Sequence, residues 1–276
     1  MSYNRVLTIQ DISCLGQCSL TVALPILSAC GQETVILPSA VLSTHTGGFK
    51  EFTFRDLTDD IPDIQNHWQK EGISFDAIYT GYLGSIKQID YVSNILDTMG
   101  RDKCIKIIDP AMADNGKLYS IFNQEYADHM ALLCAKADIV LPNITECCFM
   151  TGIEYKEKYD EAYVMNVLNA LRDKGMKTIV LTGVSYEENT TGVVLYNGDE
   201  YKYYSHKKLP KGSHGTGDIY ASSFTGALLS GKDMFDAVGI AARYVLKCME
   251  NTQGDETHWY GVKFEPMLGE LIKELS

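Results

Sequence analysis

The sequence has no long apolar run and comparatively little positive charge. No apolar stretch reaches 18 residues, the length that a membrane-spanning helix needs. Lysine and arginine number 24 against 36 aspartates and glutamates, so the net charge is -12. An acidic surface of this kind repels nucleic acid and anionic membranes. We therefore expect neither of them as a partner.

Several diagnostic patterns are also missing. The N-terminal residues lack the basic stretch and apolar run of a signal peptide, so we expect a cytoplasmic protein. No Gly-x-x-x-x-Gly-Lys-Ser/Thr occurs, which excludes a P-loop kinase, and no Gly-x-Gly-x-x-Gly follows the first strand. Of the eight cysteines, Cys14 and Cys18 alone suggest a metal, and no second ligand pair accompanies them. Reduced, mostly buried thiols are therefore the better interpretation.

Strand and helix patterns alternate along the first two thirds of the chain. This alternation predicts βαβ units, and therefore a three-layer α/β/α sandwich with a mostly parallel central sheet. Asn197-Gly198 lies between two further strand patterns and predicts a hairpin, which would add an antiparallel edge. No linker divides the 276 residues, so we expect one domain over 1–276. The predicted strands are 5–10, 34–38, 77–83, 104–108, 138–141, 178–181, 193–196 and 200–207. The predicted helices are 19–30, 61–72, 86–99, 124–135, 144–151, 160–174, 233–251 and 263–275, with a loop over 11–18.

One stretch, Gly212 to Asp218, stands out for its small residues followed by a single carboxylate. Gly215 and Gly217 permit a tight turn, and the apolar run that follows predicts a helix. The N–H groups and positive dipole at the start of such a helix form an anion site. Asp218 would be a poor phosphate ligand there but a suitable general base for an attacking hydroxyl. An ordinary loop with Asp in the first helical turn remains the alternative.

Polar residues recur where the predicted strands end. In open parallel sheets, ligands bind at these carboxyl ends. Several carboxylates around an anion cradle suit a metal–nucleotide site, because Mg²⁺ takes one or two carboxylates together with phosphate oxygens. The strand ends are Asp11 to Ser13, Tyr82 with Gly84, Asp109 with Asp114, Asn143 with Glu146, and Thr182 with Gly183, followed by Gly215 to Asp218.

The pattern Gly215-Thr216-Gly217-Asp218 resembles the C-terminal signature of the ribokinase-like (PfkB-type) kinases. Asp109-Pro110, Pro142-Asn143-x-x-Glu146 and Thr182-Gly183 match the nucleotide side of that superfamily in order and spacing. Within it, the N-terminal third is similar to pyridoxal/pyridoxamine kinases through 6–10, 43–49 and 80–84. The resemblance covers essentially the whole chain and implies a ribokinase-like fold.

The resemblance also implies roles for individual residues. Asp218 would be the general base, and the N–H groups of Gly215, Thr216 and Gly217 would hold the γ-phosphate. The implied cofactors are Mg²⁺ and ATP as co-substrate, with room for a monovalent cation, and the implied assembly is a homodimer. The implied nucleotide-side residues are Asp109, Asp114, Asn143, Glu146 and Thr182, with Glu146 and Asp109 near the metal through water. Thr46 and Tyr82 would face a vitamin B6 substrate, and polar loop residues His45 and His214 are candidate substrate contacts.

One departure concerns Asp11, because many pyridoxal kinases have Ser after the first strand. A carboxylate binds a protonated pyridine nitrogen or an amine better than a hydroxyl does, so pyridoxamine or pyridoxine is the expected preference.

The expected function is a vitamin B6 kinase that phosphorylates the 5′-hydroxymethyl of pyridoxal, pyridoxine or pyridoxamine. A hydroxymethylpyrimidine kinase of thiamine synthesis is the enzyme alternative, although such relatives often carry Cys where this chain has Asp218. A non-catalytic B6 or nucleotide-binding protein is the alternative outside enzymes.

Overall fold

The computed structural model describes residues 3–210 and 212–276. Within these residues, nine strands form one sheet in the order β11-β10-β9-β8-β5-β4-β1-β2-β3, and two short strands, β6 and β7, form a separate hairpin. The strands are β1 (Arg5–Leu15), β2 (Glu33–Thr44), β3 (Phe54–Asp56), β4 (Phe75–Thr80), β5 (Gly100–Ile108), β6 (Ala113–Asp114), β7 (Lys117–Leu118), β8 (Ile139–Val140), β9 (Thr178–Val184), β10 (Thr190–Tyr196) and β11 (Tyr201–Lys207).

The six central strands run parallel, and the strands at both edges run antiparallel to their neighbours. The predicted hairpin at Asn197-Gly198 is confirmed, with Tyr196 paired to Tyr201. At the other edge, β3 pairs with β2 through only three residues. This edge was missed because a three-residue strand has no periodicity to detect.

The predicted loop over 11–18 is wrong for most of its length. β1 continues to Leu15, because a register shift between Gln10 and Ile12 lets the strand keep pairing with β2 as far as Thr44. Asp11 therefore lies at an irregularity inside a strand. Irregularities of this kind redirect side chains and are common beside functional sites.

Helices cover both faces of the sheet. One apolar core packs α2 to α6 against one face, and a second packs α1 and α7 to α9 against the other. The helices are α1 (Leu20–Ala29), α2 (Ile61–Lys70), α3 (Ile86–Thr98), α4 (Gln124–Cys134), α5 (Ile144–Thr151), α6 (Glu161–Asp173), α7 (Thr216–Leu229), α8 (Met234–Thr252) and α9 (Leu268–Leu275). The three-layer α/β/α prediction is confirmed, and the extent of the domain remains a prediction.

Two smaller expectations need adjustment. The predicted helix over 263–275 is divided into a 3₁₀ turn at Glu265–Met267 and α9. The cysteines are free thiols, five of them buried, but Cys14 is exposed. Among the described residues, no helix combines the length and the apolar character needed to cross a membrane.

Candidate active site

A cavity of about 870 Å³ opens at the carboxyl ends of the parallel strands. Every residue for which the sequence predicts a role lines it, although the strands and helices that contribute them span most of the chain. The fourteen are Asp11, His45, Thr46, Tyr82, Asp109, Asp114, Asn143, Glu146, Thr182, His214, Gly215, Thr216, Gly217 and Asp218. Their roles in chemistry remain predictions.

The predicted anion cradle lies at the start of α7. Gly215 caps the helix with φ of 80°, in the left-handed region, and a Cβ at this position would lie 1.7 Å from the Gln17 carbonyl oxygen. Glycine is therefore required on both counts. No side chain of the described residues caps α7. The N–H groups of its first turn thus stay available to an anion.

Asp218 is in the first turn of α7, at the edge of this cradle. Loss of hydration raises the pKa of its carboxyl to about 7, and the charge of Asp11 acts in the same direction. A hydrogen bond from the Ser19 backbone opposes them. A carboxyl with this pKa can accept a proton at neutral pH and hold it more firmly than an ordinary aspartate.

Ser19 joins Asp218 to Asp11. The Ser19 hydroxyl donates to Asp11 Oδ1 at 2.5 Å, and the Ser13 hydroxyl donates to Oδ2 at 2.9 Å. Ser19 itself has φ of 54°, a conformation that a non-glycine residue rarely adopts. Backbone strain of this kind is concentrated at functional sites. From the sequence, Ser13 belongs only to the strand-end stretch from Asp11 to Ser13, and Ser19 was missed because it gives no signal of its own.

Asp109 and Glu146 are two buried carboxyls that line the same cavity. Glu146 Oε1 accepts from the Met112 N–H at 3.1 Å and Oε2 accepts from the Asn143 N–H at 2.8 Å. Burial raises the pKa of Glu146 to about 7 despite these bonds. Burial, followed by the charges of Glu146 and Asp218, also raises the pKa of Asp109 well above its usual range. Three carboxyls that repel one another in one cavity favour a bound cation.

The side chain of Asn143 holds Glu146 in position. Its side-chain oxygen accepts from the Glu146 N–H at 3.0 Å, which completes a capping box at the start of α5. Its amide donates to the Ala113 carbonyl at 2.8 Å. Thr182 donates weakly to the Pro142 carbonyl at 3.3 Å. Asp114 is exposed at the mouth of the cavity, on the short strand β6.

The other end of the cavity is formed by the turn after β2. The Nδ1 atom of His45 accepts from the Gly47 N–H at 3.0 Å, and Nε2 lies 2.5 Å from the Tyr260 carbonyl. Because a carbonyl can only accept, Nε2 carries the proton and the imidazole is neutral. His45 is thus buried and fixed to the C-terminal segment. His214 is exposed and lies against Gly47, where a Cβ would meet its ring at 2.7 Å.

Tyr82, Thr46 and Asp56 also line this end. Asp56 comes from β3, at the sheet edge that the sequence did not predict. Its Oδ1 accepts from the Thr58 N–H at 2.7 Å. Only the pairing of β3 with β2 brings Asp56 into the cavity, so no local pattern could have identified it.

Two residues, Asp109 and Glu146, are the best placed to hold a divalent cation. No group of three or more potential ligands forms a ready metal site among the described residues. This suits Mg²⁺, which keeps several waters and uses one or two carboxylates with substrate phosphates.

Comparison with known proteins agrees with this geometry. The model of the phosphomethylpyrimidine kinase family matches residues 27–261. A candidate phosphomethylpyrimidine kinase from Bacteroides thetaiotaomicron, solved in a crystal form with pyridoxal, is 36% identical, with a TM-score of 0.92 over 98% of this chain and 96% of its own. The pyridoxal kinase from Lactobacillus plantarum is 28% identical, with a TM-score of 0.91 over 99% and 98%.

Another relative is named for a pyrimidine substrate. The hydroxymethylpyrimidine/phosphomethylpyrimidine kinase of Bacillus subtilis is 26% identical over 67% of each chain. The resemblance found in the sequence is thus confirmed, as is the ribokinase-like fold. The chain is also similar to pyridoxal kinases, and it belongs to the phosphomethylpyrimidine kinase family and is a kinase of this type.

Proposed function

We propose that this protein is an ATP-dependent vitamin B6 kinase, which transfers the γ-phosphate of ATP to the 5′-hydroxymethyl group of pyridoxal, pyridoxine or pyridoxamine. One observation carries the proposal. The cradle at Gly215 and the Asp218 carboxyl share a single cavity with Asp11, His45 and Tyr82, which suit a polar heterocycle. The pyridoxal in the crystal of the 36% identical relative supports this substrate class.

Asp218 acts as the general base in this proposal. Its carboxyl takes the proton from the hydroxymethyl oxygen as that oxygen attacks the γ-phosphorus. The pKa of about 7 matches the task, because the group is largely ionised just above neutrality yet basic enough to hold the proton. The hydrogen bonds of Ser19 to Asp11 and to Asp218 keep the two carboxyls in fixed relation.

The first turn of α7 stabilises the transferring phosphoryl group. The N–H groups of Gly215, Thr216 and Gly217 offer hydrogen bonds with no side chain competing for them among the described residues. Fixed donors of this kind contribute most where charge develops in the transition state. Asp114, Asn143 and Thr182 line the approach to the cradle and contact the nucleotide.

Mg²⁺ fits the pair of Asp109 and Glu146, which would hold it through water, because their mutual repulsion is relieved by a cation. When bound, Mg²⁺ supplies positive charge against the phosphate oxygens. Thr182 is the candidate contact for a monovalent cation. A homodimer and a cytoplasmic location complete the proposal, both from the resemblance alone.

A hydroxymethylpyrimidine kinase is the second candidate. It is supported by the matching family model, which is described as phosphomethylpyrimidine kinase. The heterocycle of that substrate has similar size and also carries a hydroxymethyl group. The carboxylate at position 218 supports the B6 interpretation. A protein that binds B6 without catalysis would need neither the cradle nor its base.

The proposal is tested by measuring Mg-ATP-dependent ADP release with pyridoxal, pyridoxine, pyridoxamine and hydroxymethylpyrimidine in separate assays. We expect the highest kcat/KM with a B6 vitamer. The highest value with hydroxymethylpyrimidine would favour the second candidate. Vitamer binding without stimulated ADP release would identify a non-catalytic binding protein.

A further inference from the structure

The cavity has a pronounced imbalance of charge. Six carboxyls line it, and none of the described lining residues is Lys or Arg; the six are Asp11, Asp56, Asp109, Asp114, Glu146 and Asp218. The two lining histidines do not compensate. His45 is neutral, with Nδ1 accepting and Nε2 donating, and partial loss of hydration lowers the pKa of His214. Among the described lining residues, none therefore supplies a positive charge.

The carboxyls are not all explained by phosphate transfer. Asp109, Glu146 and Asp218 face the cradle, where a metal and a base are needed, and Asp114 lies at the mouth nearby. Asp11 and Asp56 come instead from β1 and β3, on the side of the sheet that contributes His45 and Tyr82. We call the residues Asp11, Asp56, Tyr82 and His45 the loop end of the cavity. Of its two aspartates, Asp11 is buried, which raises the pKa of its carboxyl, whereas Asp56 is exposed to the solvent of the cavity.

Asp56 is held as an anion by its own surroundings. Its Oδ1 accepts from the N–H and the hydroxyl of Thr58 at 2.7 and 2.5 Å, and from the Gln88 amide at 3.4 Å. Dehydration opposes ionisation, yet these bonds and the charge of Lys87 lower the pKa of Asp56 below its usual value. The second oxygen, Oδ2, takes part in none of the hydrogen bonds among the described residues. It is free to accept from a ligand.

The network behind Asp56 is buried and rigid. Gln88 donates to Thr58 Oγ1 at 2.8 Å and to the Ser39 carbonyl at 3.1 Å, and its Oε1 accepts from the Gly84 N–H at 2.7 Å. Gln88 thus connects β3 to the segment that carries Tyr82. This connection fixes Asp56 relative to the cavity wall. A fixed carboxylate loses little rotamer entropy when it binds a cation.

Tyr82 lies within the field of both aspartates. Dehydration, followed by the charges of Asp11 and Asp56, raises the pKa of its hydroxyl to about 12. The phenol therefore stays protonated and neutral, and it adds no charge of its own. Asp11 has a proton donor on each oxygen from Ser13 and Ser19. Asp56 is consequently the loop-end carboxylate with an unused oxygen.

We propose that Asp56 is a specificity-determining residue that selects a substrate carrying a protonated amine, and that pyridoxamine is the preferred vitamer. This inference rests on the proposed function. The aminomethyl group of pyridoxamine is an alkylamine and is cationic at neutral pH, as the side chain of lysine is. Pyridoxal, pyridoxine and hydroxymethylpyrimidine have no alkylamine, so Asp56 gives them no comparable attraction.

The test compares kcat/KM for pyridoxamine and pyridoxine in the wild type and in Asp56→Asn. Asn keeps the acceptor that Thr58 and Gln88 require but removes the charge. We expect the pyridoxamine-to-pyridoxine ratio to fall about two- to fivefold, the scale of an exposed ion pair. The fall should come from KM. Asp60→Asn removes the same charge from an exposed position outside the cavity and should leave the ratio unchanged.

A second measurement separates this inference from the proposed function. Calorimetric titration with pyridoxamine and pyridoxine reports binding even if no vitamer is phosphorylated. Tighter binding of pyridoxamine that weakens in Asp56→Asn and at high salt would support the inference. An unchanged pyridoxamine-to-pyridoxine ratio in Asp56→Asn, in turnover or in binding, would overturn it. Failure of every vitamer to be phosphorylated by the wild type would instead contradict the proposed function.

Discussion

The carboxyls at the cradle end of the cavity and Asp56 at its loop end differ in the direction of their pKa shifts. At the cradle end, meaning Asp109, Glu146 and the 215–218 turn, burial and mutual repulsion raise the carboxyl pKa values. At the loop end, burial also raises the pKa of Asp11, whereas hydrogen bonds lower the pKa of the exposed Asp56. The cradle end is thus suited to accept a cation and a proton, and Asp56 is ionised at neutral pH. The carboxyls of the cradle end are therefore suited to catalysis, and the Asp56 carboxylate is suited to substrate recognition.

The strongest test of the cradle end is removal of its base. Asp218→Asn should lower kcat by about 10²–10⁴-fold, because the attacking hydroxyl loses its proton acceptor while the cradle stays intact. ADP release measures the loss of kcat, and calorimetric titration with ATP tests whether the cradle is intact. Asp236→Asn, an exposed first-turn aspartate of α8, is the matched control. A fall of less than fivefold in Asp218→Asn would contradict the base assignment.

The cradle itself can be tested through two glycines that differ in their surroundings. Gly215→Ala places a Cβ against the Gln17 carbonyl at a positive φ, whereas a Cβ at Gly217 meets nothing within 4 Å. The left-handed conformation alone costs alanine about 1–2 kcal/mol, and the overlap adds to it, so Tm should fall by about 5 °C or more. Gly217→Ala should leave Tm the same or higher. Thermal unfolding measures the Tm of both variants. An equal loss of Tm in the two would contradict the difference between the surroundings of Gly215 and Gly217.

The raised pKa of Asp218 also makes a prediction about stability. Its carboxyl titrates near pH 7 in the native state, and an unfolded aspartate titrates near 3.8. As pH rises from about 4 to 7, the unfolded chain releases this proton first, so the group progressively destabilises the native state. Asp218→Asn should therefore raise Tm more at pH 8 than at pH 5. An equal gain in Tm at pH 5 and pH 8 would exclude a raised pKa at Asp218.

The same shift governs activity. The protonated Asp218 cannot act as a base, so kcat/KM should decline as pH falls through about 7. The decline should be absent from the residual activity of Asp218→Asn. A profile that is flat from pH 6 to 8 in the wild type would mean that the base titrates elsewhere.

The smallest expected effect is at the loop end. His45→Ala removes the link between the turn after β2 and the Tyr260 carbonyl. We expect the KM for the vitamer to rise by about three- to tenfold, on the scale of one buried hydrogen bond. Steady-state kinetics measure it, with His129→Ala, at a half-buried position of α4 outside the cavity, as control. An unchanged KM would show that the link does not shape the substrate end.

The two ends also differ in how far the sequence predicts them. The cradle end is built from short local patterns, Gly-Thr-Gly-Asp and Pro-Asn-x-x-Glu, placed where strands end. The capping box between Asn143 and Glu146 is itself a local signature. Parallel topology then brings these patterns together, so all of them line one cavity.

The loop end depends on contacts that are distant in the chain. Asp56 enters through a three-residue strand, and β1 continues past Asp11 only because β2 supplies partners for it. The buried position of His45 depends on Tyr260, 215 residues away. The positions of Asp56, of the end of β1 and of His45 all depend on tertiary contacts. Neither residue propensity nor hydrophobic periodicity predicts such contacts.

The most direct test of the central claim is an internal competition. Pyridoxal, pyridoxine, pyridoxamine and hydroxymethylpyrimidine are mixed at equal concentration with limiting Mg-ATP, and the phosphorylated products are quantified by mass spectrometry. The product ratios then equal the ratios of kcat/KM. We predict that a phosphorylated B6 vitamer dominates, with pyridoxamine phosphate first. Dominance of phosphorylated hydroxymethylpyrimidine would contradict the assignment as a vitamin B6 kinase.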